Sequence, residues 1–268
     1  MVQSSGQRIW GKRSRSWGMD RIYGFPASAK HFHLYEHDSQ LKQHPAYVSA
    51  KQGEEEAAFE LVWDLATEFL AGLQGQFHEN AIFVSPFAKE ASGDNAIPPL
   101  LASACANLIG GSSENDIVQL ERVFHTGADP MERMCLRPSF EGEVVPGKSY
   151  VLVDDVTTMG GTLAELANYI LINGGAVAGT IVLCNAGRST GFSPPKKTLR
   201  LLNERFGDEI KDIFGIRTEA LTANEANYLV GFRSADEIRN RLVKAEKETA
   251  ERLRSKGLPK KDDRFRND

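Results

Sequence analysis

VLVDDVTTMGG, residues 151–161, sets two adjacent aspartates at the end of an apolar run and two glycines a few residues later. SYVLVDD (149–155) reads as a buried strand. TLAELANYILINGG (162–175) reads as an amphipathic helix with a glycine stop, and AVAGTIVLCNAG (176–187) as another buried strand. Strand, turn, helix and strand in that order make a βαβ unit.

The pattern continues upstream. GEEEAAFELVWDLATEFLAGLQG (53–75) predicts a helix with acids in its first turn and a stripe of Phe59, Val62, Trp63, Ala66, Phe69, Leu70 and Leu73. NAIFVSP (80–86) predicts a short buried strand stopped by proline, and NAIPPLLASACANLIGG (95–111) a helix with Pro98 and Pro99 in its first turn. ERVFHT (121–126) predicts a strand, while residues 127–149 have no clear period and are long enough for a functional loop. The fold class is α/β: an open, mostly parallel twisted sheet flanked by helices. Ligands of such sheets collect at the carboxyl ends of the strands, so the loops after Pro86, Thr126, Asp155 and Cys184 should share one rim.

Three segments are expected: an N-terminal arm, hood and helix over 1–75, a core over 76–192, and a helical extension with a polar tail over 193–268. Thr222 to Glu225 and Ser234 to Glu237 are capping-box patterns opening two helices, which read as a packing or oligomerisation unit. HFHLYEHD (31–38) alternates as a strand with His31 and His33 on one face, read as packing residues. Arg8, Lys12, Arg13, Arg15 and Arg21 read as a solvated basic arm, and Lys260, Lys261, Arg264 and Arg266 lie in the polar tail.

Composition is that of a globular chain: 268 residues, 41% hydrophobic, 25% charged, formal net charge −4. The charge does not favour wholesale nucleic-acid binding. The three cysteines, Cys105, Cys135 and Cys184, are widely spaced, as in a reducing compartment. No apolar run has the ~20 residues of a membrane span, and the first residues lack the apolar core of a secretory signal. A cytoplasmic location is the expectation.

The chemistry lies in the opening stretch. A helix N-terminus carries unpaired N–H groups and about half a positive charge. Glycines let a phosphate approach that backbone, and the Thr158 and Thr162 hydroxyls can donate to its oxygens. Two aspartates repel a phosphate, so they require a different partner: a sugar diol, which donates two protons, or Mg²⁺, which takes oxygen ligands. A phosphorylated sugar fits both features, with its diol on the acids and its phosphate on the turn.

This stretch resembles the signature of the type I phosphoribosyltransferases: an apolar strand, two acids, four variable residues, then Gly-Gly-Thr. The resemblance covers about residues 80–187 and is nearest in feel to competence-type members. It implies binding of 5-phosphoribosyl-1-pyrophosphate (PRPP) with Mg²⁺ as cofactor. Asp154 and Asp155 would hold the ribose hydroxyls as catalytic residues and would also bind the metal. Thr158, Met159, Gly160, Gly161 and Thr162 would hold the 5′-phosphate. Ser85 and Lys89 would hold pyrophosphate in the first loop, with Asn95 as a helix cap. A mobile loop over 127–149 would bring Arg133, Arg137 or Lys148 to the leaving group. Met159 stands where many members have threonine, which removes one hydroxyl donor. Thr158 stands where the 6-oxopurine enzymes carry an acid, which disfavours hypoxanthine or guanine.

The implied activity is Mg-dependent phosphoribosyl transfer from PRPP to a base or amine, in nucleotide metabolism. The acceptor would be recognised by the hood, with Arg188 as a candidate contact. The rivals are a non-catalytic PRPP- or nucleotide-binding regulator, a nucleic-acid-associated competence-like protein, and an effector subunit docking through the C-terminal helices.

Overall fold

The computed structural model describes residues 19–86, 95–120 and 129–255. In chain order these form β1 (Lys30–Tyr35), α1 (Ser39–Gln43), α2 (Tyr47–Lys51), α3 (Glu55–Ala71), β2 (Ile82–Val84), α4 (Ile97–Ile109) and β3 (Ser112–Glu114). Next come β4 (Val118–Gln119), α5 (Pro130–Cys135), β5 (Phe140–Glu141), β6 (Ser149–Thr157), α6 (Gly161–Ile172) and β7 (Ala176–Asn185). Helices α7 (Lys196–Phe206), α8 (Glu209–Phe214), α9 (Ala223–Val230) and α10 (Ala235–Ser255) follow.

Five strands form one sheet in the order β1-β7-β6-β2-β3, with every pairing parallel. Parallel sheets need cover on both faces, and β6 shows why its sequence is continuously apolar. Val151 and Val153 join a core with α3 and α4, while Tyr150 and Leu152 join a second core with α6. All four are fully buried, and the three aliphatic ones contribute about 1.5–3 kcal/mol each. The chain runs from β2 outward to β3 and from β6 outward to β7 on the other side. The order therefore reverses between β2 and β6, and that switch point is where an open α/β sheet leaves a crevice at its carboxyl rim.

A third core lies outside the sheet. Leu202, Phe206, Ile210, Phe214, Ala226, Leu229, Ile238 and Leu242 of the last four helices pack with Met131 and Met134 of α5. The Thr222–Glu225 capping box forms in full. At Ser234 the box is partial: Glu237 N donates to Ser234 Oγ, but the Glu237 carboxylate accepts from Arg233 N.

Several expectations are corrected. Helix α3 buries Ala58, Leu61, Val62, Ala66 and Leu70. Phe59 and Trp63 are 61% and 59% exposed and stack on one another. The face is set by the i, i+4 series 58, 62, 66, 70, which leaves 59 and 63 rotated off it. Of the expected loop, the described residues 129–149 are not irregular throughout. Asp129 caps α5 in a second capping box with Glu132, and β5 pairs antiparallel with β4. The expected strand at 121–126 lies outside the described residues, while β3, a short polar edge strand, was not foreseen. His31 and His33 do lie on an edge strand, with the His31 ring packed between Phe25 and Phe192. Among the described residues no helix is long and apolar enough to cross a membrane.

Candidate functional site

The acidic pair lies near the end of β6, two residues before Thr157, where strand alternation sends Asp154 and Asp155 to opposite faces. Asp155 is buried, at 3% exposure. Its Oδ1 accepts from Val156 N at 2.8 Å, and its Oδ2 accepts from Asn95 Nδ2 at 3.1 Å. The same Oδ2 lies 2.5 Å from the Lys51 ammonium. Asn95 is not the cap of α4, which is Ala96; it lies one residue ahead, where its Oδ1 accepts from Ile97 N while its amide holds the acid. Asp154 accepts from Asp155 N at 2.9 Å. Burial, then the neighbouring Asp155 charge, push the Asp154 carboxyl up to about 8. Burial alone would lower the Lys51 ammonium, but Asp155 outweighs it and the net shift is upward.

The glycine turn follows. Gly160 has φ 76°, a left-handed conformation that costs a side-chain-bearing residue about 1–2 kcal/mol. A Cβ there would also sit 3.0 Å from the Phe192 ring, and one on Gly161 would sit 3.2 Å from Glu225 Oε1. Helix α6 begins at Gly161, so its first amides have no partner within the helix. Two carbonyls of the turn are held by the cap of α9: Asn224 Nδ2 donates to Thr158 O at 2.9 Å and Thr222 Oγ1 to Met159 O at 2.6 Å. In a trans peptide the N–H is antiparallel to the C=O. The amides of Met159 and Gly160 therefore face away from α9. Asn224 Oδ1 in turn accepts from Arg188 N and Ser189 N, tying the loop after β7 to the same cap. The Met159 side chain packs against the third core. A threonine hydroxyl is absent there, and an apolar anchor to the C-terminal helices is present instead.

Behind the turn is a buried ion cluster. Arg21, at 1% exposure, lies 2.7 Å from Glu225 and 3.4 Å from Glu165. Arg137 holds Glu165 with two bonds, 2.5 and 2.9 Å, and also donates to Phe214 O. Glu225 Oε2 accepts from Thr222 N as well. Two cations and two anions thus join the N-terminal segment, α6 and α9. Arg21 also bridges the backbone at Ile216 and is no part of a solvated arm.

These parts surround an open cleft of about 280 Å³. Asp154, Asp155 and Thr158 to Thr162 line it, together with Pro86 from the other side of the switch point. Lys51, Asn95, Arg133, Arg137 and Glu225 complete its charged and polar wall. Of the residues expected at the leaving group, Arg133 lines the cleft. Arg137 lines it too, but its guanidinium is committed to Glu165. Lys148 is exposed at the start of β6, about 20 Å of strand from Asp154 at the usual rise; it belongs to the opposite rim and cannot serve the site. Ser85 follows β2 at the correct rim, but its side chain is fully buried and does not line the cleft, and its Oγ has no hydrogen-bond partner among the described residues. Lys89 lies outside the described residues.

Sequence reading missed four contributors: Lys51, Arg21, Asn224 and Glu225. The last two sit inside a recognised capping box, but nothing local in a capping box announces a contact with a turn more than sixty residues away.

As a direct two-carboxylate seat for Mg²⁺, the pair does not fit. A carboxylate offers about four acceptor positions, and Asp155 has committed three of them, one to an ammonium that would repel the cation. Among the described residues no group of three or more His, Cys, Asp or Glu side chains could hold a metal ion. A ribose hydroxyl asks less of the pair than a cation does, since it needs one lone pair and adds no charge.

No family model matches the chain. It is 38% identical over 219 residues to Protein TraN of Escherichia coli, an alignment covering 80% of this chain and 49% of that protein. It is 37% identical over 130 residues to an uncharacterized protein of Haemophilus influenzae, covering 48% of this chain and 29% of that one. The chain thus spans about half the length of the first relative and under a third of the second. Among solved structures, adenine phosphoribosyltransferase from Trypanosoma brucei in complex with AMP, pyrophosphate and ribose-5-phosphate matches 58% of this chain and 83% of its own, at 14% identity and a TM-score of 0.34.

Proposed function

We propose that the cleft binds a 5-phosphorylated ribose and that the chain transfers the phosphoribosyl group of PRPP to a nucleophile. One observation carries this reading: the acidic pair and the glycine turn open into one cleft at the switch point of a parallel sheet. In this arrangement the ribose 2′- and 3′-hydroxyls donate to Asp154 and Asp155. The amides of the turn, with the Thr158 and Thr162 hydroxyls, receive the 5′-phosphate at the positive end of α6.

Transfer breaks the bond between the anomeric carbon and pyrophosphate and forms a bond to the base or amine, whose proton leaves to solvent. The transition state is oxocarbenium-like, as in glycoside cleavage. The sugar therefore requires little acid–base chemistry, and the contribution of the chain is positioning and charge. Arg133 is the cation nearest in role to the departing pyrophosphate. Mg²⁺ enters this reading as a companion of PRPP rather than as a ligand of the aspartates.

A second reading is a non-catalytic binder of PRPP or a nucleotide. It is favoured by the commitment of Arg137 to Glu165, which leaves fewer cations for a leaving group. Incubation with PRPP and Mg²⁺ against a panel of bases, amines and water, following pyrophosphate release, separates the two. Acceptor-dependent release supports transfer. Saturable binding without release supports the binder, and neither outcome is compatible with failure to bind PRPP at all.

A further inference from the structure

We infer that Lys51 is the resident cation of the acidic pair, so that the cleft holds a phosphorylated ribose without a divalent metal bridging sugar and carboxylates. This rests on the phosphoribosyl reading above and deepens it.

The ammonium lies 2.5 Å from Asp155 Oδ2, on a carboxylate that is 4% exposed, while the lysine side chain itself is 32% exposed. Its charge is thus delivered from the wall of the cleft to a buried anion, with the stem reaching in from the last residue of α2. Asn95 Nδ2 bonds the same oxygen, and Val156 N bonds the other. Asp155 is consequently neutralised and oriented by the chain alone. The remaining acid at the cleft wall, Glu225, has its own cation in Arg21. Lys51 reaches Asp155, which leaves Asp154, lining the same cleft, as the carboxyl a diol would meet. A divalent ion seated on Asp155 would have to expel the ammonium first. A ribose hydroxyl would not, because it needs only a free lone pair and adds no charge.

The test is calorimetric titration of the full chain with ribose 5-phosphate, which has no pyrophosphate to bring a metal of its own, in EDTA and again in millimolar MgCl₂. The unmodified chain should bind with the same affinity in both. Lys51→Met should lose about tenfold in EDTA, the scale of one charge-assisted contact, and recover part of it in Mg²⁺. Lys51→Arg should retain affinity in EDTA. A role confined to packing would not create a metal dependence in the methionine variant. Binding by the unmodified chain that requires Mg²⁺ would overturn the inference and leave the phosphoribosyl reading standing. So would a Lys51→Met variant that binds as tightly as, or more tightly than, the unmodified chain in EDTA. Absence of binding under both conditions would defeat the phosphoribosyl reading itself. Should the methionine variant fold poorly, the metal independence of the unmodified chain and of Lys51→Arg still decides the matter.

Discussion

The acidic end of the cleft and its phosphate end are held by different parts of the chain. Asp154 and Asp155 are fixed by their own strand and by Asn95 and Lys51, all from the first two thirds of the sequence. The glycine turn is fixed from behind by Thr222 and Asn224 of α9, by Phe192, and by a buried ion cluster that includes Glu225. The acidic end is therefore a property of the sheet. The phosphate end is a property of the sheet and the C-terminal helices together, and damage to those helices should reach the phosphate without reaching the acids.

The largest expected effect follows from breaking the ion cluster. Arg21→Ala leaves Glu225 buried without its cation, and removing one partner of a buried pair typically costs about 3–5 kcal/mol. Urea denaturation should show a loss of that size. A loss under about 1 kcal/mol, the scale of an exposed pair, would mean that the cluster does not tie α9 to the turn.

Gly160→Ala comes next. The left-handed φ and the nearby Phe192 ring together predict a loss of about 2 kcal/mol in stability. Ribose 5-phosphate affinity should fall at least tenfold, while Asp154 keeps its titration. An alanine variant with unchanged affinity would contradict the close backbone approach assigned to the phosphate.

The acidic end can be tested in the opposite direction. Folding raises the Asp154 carboxyl from its ordinary 3.8 to about 8. The folded chain therefore binds that proton more tightly than the unfolded chain does. The associated stability is complete below the unfolded value and is lost as pH rises through about 8. Asp154→Asn removes the titration, so the variant should melt a few degrees above the parent at about pH 9, with the gap closing towards about pH 4. The same change should abolish sugar binding, a gain in stability at the expense of the site. A variant less stable than the parent at the higher pH would show that the carboxylate is stabilised, not strained, where it lies.

The smallest effect sharpens the comparison most. Asn224→Ala removes one hydrogen bond to Thr158 O and two to the loop after β7. Stability should fall by about 1 kcal/mol or somewhat more. Affinity for inorganic phosphate should weaken while affinity for unphosphorylated ribose does not. Equal weakening of both would merge the two ends into one unit.

The same division governs what the sequence disclosed. Residues 149–162 are contiguous, so strand, acids, turn and helix start could be read as one device, and their mutual placement needed no long-range information. Lys51 could not be read that way. It lies at the end of a five-residue helix in a stretch without period, and the packing of α2 on α3, with Ala96 N bonded to Ala50 O, brings it to β6. Arg21 was misread because a lysine- and arginine-rich neighbourhood resembles a solvated arm, while its two carboxylate partners lie more than 140 residues away. Arg137 and Lys148 were grouped by proximity in sequence, yet one is locked behind the turn and the other belongs to the far rim of the sheet. The expected stripe of α3 holds at Val62, Ala66 and Leu70 but not at Phe59 and Trp63, where the small Ala58 one position back faces the core and lets the helix approach it.

The central claim is that one ligand spans both ends. Amide NMR during titration with ribose 5-phosphate addresses it directly, with ribose and inorganic phosphate as separate probes. The account predicts that ribose 5-phosphate moves the resonances of Asp155, Gly160, Gly161 and Thr162 together along one saturation curve. Phosphate alone should move the turn, and ribose alone the acidic end. Shifts at only one end with ribose 5-phosphate, or two curves with separate midpoints, would contradict it.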